Sequence, residues 1–265
     1  MATFALTEPP LNDKNIKEDV ICDAQFVHPF TSMIIGPSGS GKTTFLKNLL
    51  DRSKDLISAK FDHIHFFLGT SLDQNLVLKE MKSHEEDYPF KMNFMDVREC
   101  YGSDLNQTTF AEDIIDLCKK SHQQNEKMCL VFDDLMSDLS GSSLISDLFS
   151  KLSAHYDTSV FFISQNLFHR GKKQGDSITI YRNTKYLVLF DSVLDHHTFT
   201  VIASRIGVES KFLREIARIY RYVIIRGGQD VRENMRFVSN IFNYIKVGSN
   251  DVPVQSCFVP LRKKR

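Results

Sequence analysis

One short segment constrains this chain more than any other: the glycine-rich sequence GPSGSGKT at residues 36–43. It follows an apolar run at 30–35 that predicts a buried strand, and it precedes residues 43–50, whose apolar side chains recur at helical spacing. Glycines at such a junction let backbone N–H groups curl around a phosphate, and the first turn of the helix adds its partial positive charge. The segment therefore predicts a triphosphate-binding loop within an α/β fold.

The residue types within this loop predict individual roles. The Lys42 ammonium can reach the β- and γ-phosphates, and the Thr43 hydroxyl can ligate Mg²⁺. We therefore expect ATP and Mg²⁺ as cofactors and count Lys42 among the catalytic residues. The residues expected to contact the nucleotide are Gly36, Pro37, Ser38, Gly39, Ser40, Gly41, Lys42, Thr43 and Thr44.

A pair of carboxylates follows the unbroken apolar run at 128–132. We expect Asp133 to hold the Mg²⁺ opposite Thr43, and Asp134 to activate the attacking water. The alternative is that the pair only caps the next helix, where aspartate is common. The metal site further requires the strands at 30–35 and 128–132 to be neighbours in the sheet.

Another polar side chain, Gln165, ends the neighbouring apolar run at 160–163. Its amide both donates and accepts hydrogen bonds, so it can contact the γ-phosphate and the lytic water together. The alternative is a turn residue at a strand end. Arg170 and Arg182 lie downstream, and either can serve as an arginine finger in a neighbouring subunit or remain a solvated surface arginine.

Apolar runs and amphipathic stretches alternate along most of the chain. Further strands are predicted at 63–68, 94–95, 186–190, 222–225 and 235–238, and further helices at 109–118, 144–152, 199–206 and 212–219. Strands without polar alternation are buried on both faces, so helices must cover the sheet from both sides. We predict a three-layer α/β domain whose mostly parallel central sheet ends in a C-terminal antiparallel strand pair.

A length of 265 residues accommodates one α/β domain with a modest appendage. We divide the chain into an N-terminal arm (1–27), a P-loop ATPase domain (28–245) and a C-terminal basic tail (246–265). The tail ends in LRKKR at 261–265. This sequence is a nuclear import signal, a phosphate-contacting arm or a solvated terminus.

Composition narrows the classes of partner. The formal net charge is zero, so any surface that binds nucleic acid must be local.

The five cysteines form no C-x-x-C pair, which indicates reduced thiols. No signal pattern or membrane-spanning run is evident, so we expect a protein that is not secreted and has no membrane partner. His63 and His65 share a strand face, but no third ligand is evident, so zinc is not expected.

Several segments together resemble the DNA-packaging ATPases of the FtsK–HerA superfamily. The match is to the poxvirus-type branch, found in large DNA viruses, virophages and Polinton-like (adintovirus-like) elements. The segments are MIIGPSGSGKT at 33–43, LVFDDL at 130–135, FFISQNLF at 161–168 and NTKYLVLF at 183–190. Their order and spacing cover most of residues 28–243. The first segment is common to all P-loop proteins, and the last two point to this branch.

The resemblance implies an additional-strand, RecA-like P-loop fold and ATP-driven translocation of double-stranded DNA into a preformed capsid. Implied partners are double-stranded DNA, further copies of the chain in a ring of five or six, and a capsid or portal protein. The implied location is the host cytoplasm or nucleus at virus assembly sites, or the virion. The resemblance also supports the roles given to Lys42, Thr43, Asp133, Asp134 and Gln165.

Two departures from the family pattern matter. Much of the superfamily has Asp-Glu where this chain has Asp133-Asp134, so the second carboxylate is one methylene shorter. Relatives often carry an arginine near the position of Ile178, which leaves the choice between Arg170 and Arg182 open. In the loop at 171–175, Lys172 and Lys173 are either a DNA contact or a solvated basic loop.

Two other functions fit the phosphate loop. A P-loop kinase would transfer phosphate to a nucleoside or another small molecule, and it would need a lid with arginines and a substrate pocket. A non-catalytic protein would bind ATP only to assemble. Stimulation of phosphate release by DNA favours the motor over the kinase, and loss of turnover with retained nucleotide binding in Asp134→Asn argues against the assembly protein.

Overall fold

A computed structural model describes residues 3–4, 19–20, 25–102, 107–135, 139, 143–166, 179–192, 195–228, 231–247 and 250–260. Its strands are β1 (Thr3–Phe4), β2 (Asp19–Val20), β3 (Thr31–Ile35), β4 (His63–Leu68), β5 (Lys91–Asp96), β6 (Met128–Asp133), β7 (Thr158–Ser164), β8 (Tyr186–Phe190), β9 (Tyr222–Arg226), β10 (Phe237–Val247) and β11 (Asn250–Phe258). Its α-helices are α1 (Lys42–Asp51), α2 (Ser53–Leu56), α3 (Leu76–Ser83), α4 (Val97–Tyr101), α5 (Gln107–Gln123), α6 (Leu144–Asp147), α7 (Ser153–His155), α8 (His196–Ile206) and α9 (Ser210–Tyr220). A π-helical turn, Leu148–Leu152, joins α6 to α7.

Nine strands form one sheet in the order β11-β10-β9-β8-β3-β7-β6-β4-β5. The strands from β8 to β5 are parallel, whereas β9, β10 and β11 are antiparallel to their neighbours. The prediction of a mostly parallel sheet that ends in antiparallel strands is confirmed. β11 extends the predicted pair to a third strand, and its Pro253 is compatible with the edge position because an edge strand can do without one ladder N–H.

Helices cover both faces of the sheet, as the three-layer prediction requires. Helices α1 and α3 pack on one face through Phe45, Leu46, Leu49, Leu50, Leu78 and Met81. On the other face lie α5, the helical stretch 144–155, α8 and α9, and these supply Phe110, Ile114, Leu148, Phe199, Phe212 and Leu213. The apolar stripes predicted from sequence are therefore the surfaces that hold the layers together.

The expectation that the strands of the loop and of the acidic pair are neighbours is wrong. Strand β7 lies between β3 and β6, and all seven of its residues are buried, as suits a central position. An inserted strand is what the additional-strand fold implies. The register still aligns the three carboxyl ends, because Ile35 pairs with Ser164 and Asp133 pairs with Ile163. The loop and the acidic pair therefore meet at the carboxyl ends of the parallel strands, across β7, so the requirement for adjacent strands was too strict.

The ordered core reaches beyond residues 28–245 at both ends. The Phe26 ring is buried and stacks on the Tyr186 ring, with centroids 4.3 Å apart. Strand β11 runs to Phe258, so residues that were included in the predicted tail belong to the sheet. The basic residues at 261–265 lie outside the described residues.

None of the helices in the described part of the chain combines the length and apolar character needed to cross a membrane.

Candidate nucleotide-binding site

The phosphate loop connects β3 to α1 with a backbone that requires glycine. Gly39 and Gly41 have φ values of 74° and 99°, in the left-handed region that favours glycine. At Gly36 the constraint is steric: an added Cβ would lie 2.6 Å from the Phe190 Cβ and 2.8 Å from the Ser40 Oγ. The loop therefore curls tightly against the end of β8, and α1 begins at Lys42 with its first N–H groups toward the loop.

Lys42 lies over the loop that precedes it. Its Nζ donates to the carbonyl oxygens of Gly36, at 2.7 Å, and Pro37, at 2.8 Å. Burial lowers the pKa of the ammonium, and the nearby charges of Asp133 and Asp134 act in the opposite direction. The lysine thus occupies a partly desolvated place between the loop and the acidic pair, where its attraction for phosphate oxygens is stronger than in water.

Asp133, the last residue of β6, is a half-buried carboxylate. Burial, together with the neighbouring charge of Asp134, raises the pKa of its carboxyl to about 6, although Lys42 acts in the opposite direction. Such a carboxylate gains from a cation at short range. With the Thr43 hydroxyl in the first turn of α1, it offers the hard oxygen donors that Mg²⁺ prefers. The donor set fits a magnesium ion.

The backbone of Asp134 is constrained by its conformation and by its neighbours. Its φ is 56°, a left-handed value that aspartate tolerates better than most residues, and its N–H donates to the Ile163 carbonyl at 3.2 Å. Its own carbonyl lies against Gly69, where an added Cβ would come within 2.3 Å of that oxygen. The turn therefore fixes the backbone from which the Asp134 carboxylate extends.

Gln165 follows the end of β7, beside the acidic pair. Its Nε2 lies 3.4 Å from both Oδ1 and Oδ2 of Asp134. The side chain is exposed, so it is open to a ligand at the edge of the sheet. The structure thus brings together Lys42, Asp133, Asp134 and Gln165, four of the residues singled out from sequence.

Asn75 is a site residue that the sequence reasoning missed. Its Nδ2 lies 3.4 Å from the Asp133 Oδ2, and its Oδ1 accepts a hydrogen bond from the Leu78 N–H at 3.2 Å. One side chain therefore caps α3 and contacts the candidate metal ligand. An asparagine directly before the amphipathic stretch 76–83 is an N-cap signal, but its approach to Asp133 depends on tertiary structure.

A cavity of about 200 Å³ opens beside the loop. It is lined by Gly36, Pro37 and Ser38, by Gln165 and Asn166, and by residues at the end of β8 and the start of α8, among them Ser192, Asp195 and Thr198. Asp195 caps α8 by accepting from the Thr198 N–H at 3.1 Å. The cavity therefore lies at the carboxyl ends of the parallel strands, directly beside the phosphate loop.

Of the basic residues singled out from sequence, the structure describes Arg182, which lies away from this cluster. Arg182 is exposed at the end of a helical turn at 179–182, next to Asn183, whose carbonyl accepts from the Thr31 hydroxyl at 2.6 Å. Thr31 begins β3, so Arg182 lies at the amino edge, one strand length (about 17 Å) from its own loop. Arg170, Lys172, Lys173 and Ile178 lie outside the described residues.

The rings of His63 and His65 lie side by side on β4, with centroids 6.1 Å apart. No group of three or more metal-ligating side chains occurs within the described ranges. His63 lies 3.6 Å from a Glu126 carboxylate oxygen, and the ring of His65 stacks beside Phe67. Burial, together with the neighbouring His63, lowers the pKa of His65 to about 4, so this half-buried side chain is neutral near pH 7.

Comparison with known proteins gives a family and several related folds. The family model described as Poxvirus A32 protein matches residues 22–224. No curated protein matches the chain. A solved structure of the genome packaging NTPase B204 from Sulfolobus turreted icosahedral virus 2, with ATP-γ-S, is 13% identical. That likeness covers 74% of this chain and 91% of that chain, with a TM-score of 0.48.

The cytoplasmic domain of the Thermomonospora curvata Type VII secretion ATPase EccC superposes with a TM-score of 0.51 at 10% identity. The likeness covers 88% of this chain but 25% of that chain, so this chain spans about a quarter of that protein's length. At this identity the comparison shows a shared fold. Together with the sheet order, it confirms the predicted P-loop fold class.

Proposed function

The chain belongs to the poxvirus A32 protein family, and we propose that it is the ATP-driven motor that moves viral double-stranded DNA into a capsid. The membership confirms the resemblance to the poxvirus-type branch of the FtsK–HerA ATPases. The observation that most supports an ATPase mechanism is the meeting of Lys42, Asp133, Asp134 and Gln165 at one sheet edge, beside the glycine loop.

Nucleotide binding follows from the loop geometry. The backbone N–H groups of the loop and of the first turn of α1 hold the phosphates, and the Lys42 ammonium exchanges the Gly36 and Pro37 carbonyls for phosphate oxygens. Thr43 and Asp133 are the residues that would hold Mg²⁺. When bound, the ion neutralises charge on the β- and γ-phosphate oxygens.

Hydrolysis requires a positioned water and a proton acceptor. Asp134 accepts the proton as the water oxygen bonds to the γ-phosphorus and the bond to the β-phosphate oxygen breaks. Gln165, 3.4 Å from the Asp134 oxygens, orients that water and contacts the γ-phosphate. The turn sets the position of the Asp134 Cβ, and the shorter side chain still brings its carboxylate to Gln165.

The arginine finger comes from a neighbouring subunit. Arg182 lies at the amino edge of the sheet, away from its own loop. In a ring built by head-to-tail contacts, the amino edge of one subunit can face the carboxyl edge of the next, so Arg182 would complete the neighbour's site. Arg170 is the alternative, and the ring has five or six subunits. Double-stranded DNA and a capsid or portal protein are the proposed partners.

The experiment that tests the motor is displacement of a third strand from triplex DNA by the purified full-length protein. A translocating motor releases the third strand when ATP and Mg²⁺ are present, and it does not do so with ATP-γ-S. ATP hydrolysis that duplex DNA leaves unchanged, together with phosphate transfer to a nucleoside, would overturn the proposal in favour of the kinase.

A further inference from the structure

Helix α9 is amphipathic, with an apolar face toward the sheet and a basic face on the outside. Its apolar residues Phe212, Leu213, Ile216 and Ala217 are buried against the sheet. The outward side carries Lys211, Arg214 and Arg218, which recur at the spacing of one helix face, and Arg221 follows at the C-cap. We call Lys211, Arg214, Arg218 and Arg221 the basic stripe.

Among the residues that the structure describes, the basic stripe has one ion pair. Lys211 pairs with Glu215 at 3.6 Å, and only 16% of the Glu215 side chain is exposed. The guanidinium groups of Arg214, Arg218 and Arg221 have no ion pair with any other residue that the structure describes. In a protein with zero formal net charge, the stripe is a local excess of positive charge.

The helix itself does not explain this arrangement. Cations at a helix C-terminus interact favourably with the macrodipole, which accounts for Arg218 and Arg221. Lys211 is the second residue of α9, where the macrodipole opposes a positive charge. Lys211 also precedes Glu215, the less favourable order for a pair spaced four residues apart. The continuous stripe therefore indicates an external anionic partner.

The stripe ends beside the nucleotide site. The Arg221 carbonyl accepts a hydrogen bond from the Asp191 N–H at 3.0 Å, and Asp191 follows Phe190, the residue packed against Gly36. Tyr222, the next residue, packs edge-on against Phe45 of α1, with ring centroids 4.9 Å apart. The C-terminal end of the stripe is thus connected to the phosphate loop through the Asp191–Phe190 segment, as suits a ligand whose binding responds to ATP.

We propose that the basic stripe binds the phosphate backbone of duplex DNA, an inference that rests on the proposed motor function. From Lys211 to Arg218 the helix rises about 10 Å, which spans about three phosphates of one strand at 3.4 Å each along the duplex axis. Lysine and arginine contacts of this kind carry no base preference, as packaging of a whole genome requires. Binding should therefore be independent of sequence and strongly dependent on salt.

The test compares the full-length wild type with R214Q/R218Q, using a duplex of mixed sequence and measuring binding between 50 and 200 mM salt. Each lost phosphate contact reduces the slope of log affinity against log salt by about 0.9, so the slope becomes shallower by about 2. When salt is raised from 50 to 200 mM, the fall in the affinity of R214Q/R218Q for the duplex is therefore about 12-fold smaller than the fall for wild type. The matched control is K119Q/K120Q, which removes two exposed charges from α5 on the same face of the sheet and leaves the slope unchanged.

Hydrolysis measurements separate this inference from the proposed function. R214Q/R218Q should keep the wild-type rate of ATP hydrolysis without DNA and lose most of its stimulation by duplex DNA. A wild-type salt slope and wild-type stimulation in this variant would overturn the basic stripe alone. Wild-type protein that hydrolyses no ATP in any condition would overturn the motor itself.

Discussion

The Nε2 amide of Gln165 lies 3.4 Å from both carboxylate oxygens of Asp134, although the two residues follow different strands. This pair forms at the carboxyl ends of β7 and β6, where the register ends the two strands level. In the proposed mechanism, Asp134 is the proton acceptor and Gln165 orients the water, next to the phosphate loop.

The first prediction separates turnover from binding at this pair. Asp134→Asn keeps the side-chain size and tolerates the same left-handed backbone, but it removes the proton acceptor. We expect kcat to fall by about 10² to 10⁴, while ATP affinity, measured by equilibrium binding of a fluorescent analogue, stays within a few-fold of wild type. Unchanged turnover would remove Asp134 from the mechanism.

Asn75 provides the second prediction. Asn75→Ala removes both the cap of α3 and the contact with Asp133, so we expect a loss of about 1 kcal/mol in the free energy of unfolding. We also expect a loss of about 10- to 100-fold in the apparent Mg²⁺ affinity of the ATPase. Denaturant unfolding and magnesium titrations of the hydrolysis rate measure the two effects.

A matched variant divides these two roles. Asn75→Ser keeps a good N-cap but is too short to reach Asp133. It should restore the stability and retain the magnesium defect. Recovery of both properties in Asn75→Ser would show that Asn75 acts only through helix α3.

The third prediction concerns the contact between Gly69 and the Asp134 backbone. A Cβ at Gly69 would lie 2.3 Å from the Asp134 carbonyl oxygen, so Gly69→Ala must displace the turn that carries the carboxylate. We expect a large loss of kcat. Gly102→Ala is the control: it places a side chain at φ 79° in open space, which costs about 1 kcal/mol of stability without reaching the site. Equal turnover in the two variants would contradict the assignment.

The fourth prediction is a pH dependence of stability. The pKa of His65 is about 4, against its ordinary 6.5, because burial opposes its charge. Between these values the unfolded chain binds a proton that the folded protein does not, so the contribution of His65 to stability is lost as pH falls from 6.5 to 4. His65→Gln should flatten the curve of unfolding free energy against pH in this range.

The raised pKa of Asp133 acts in the opposite direction, so the comparison between wild type and His65→Gln is the informative quantity. Parallel curves for the two proteins would show that His65 does not titrate differently in the folded state.

Local patterns predicted much of this molecule. The buried run before Gly36 and the run that ends at Asp133 are continuous in sequence, and each became a strand of the parallel sheet. The order of the strands could not be predicted in this way. Nothing in the local sequence of β7 indicates that it separates β3 from β6, because strand order depends on contacts between distant segments.

Weak local signals explain the remaining differences. Strand β11 contains Pro253 and begins with Asn250-Asp251, residues that disfavour strands, and it forms because β10 offers it a partner. Asn75 carried a capping signal, but its second contact, with Asp133, joins residues 58 positions apart. Such contacts are visible only in the folded structure.

The most direct test of the central claim is the rate of Mg²⁺-dependent ATP hydrolysis by the purified protein, with and without duplex DNA, beside Lys42→Ala. Removal of the ammonium that bridges the loop and the acidic pair should abolish hydrolysis in both conditions, while wild type turns over and is stimulated by DNA. Equal rates in wild type and Lys42→Ala, or a wild type that does not hydrolyse ATP, would contradict the account.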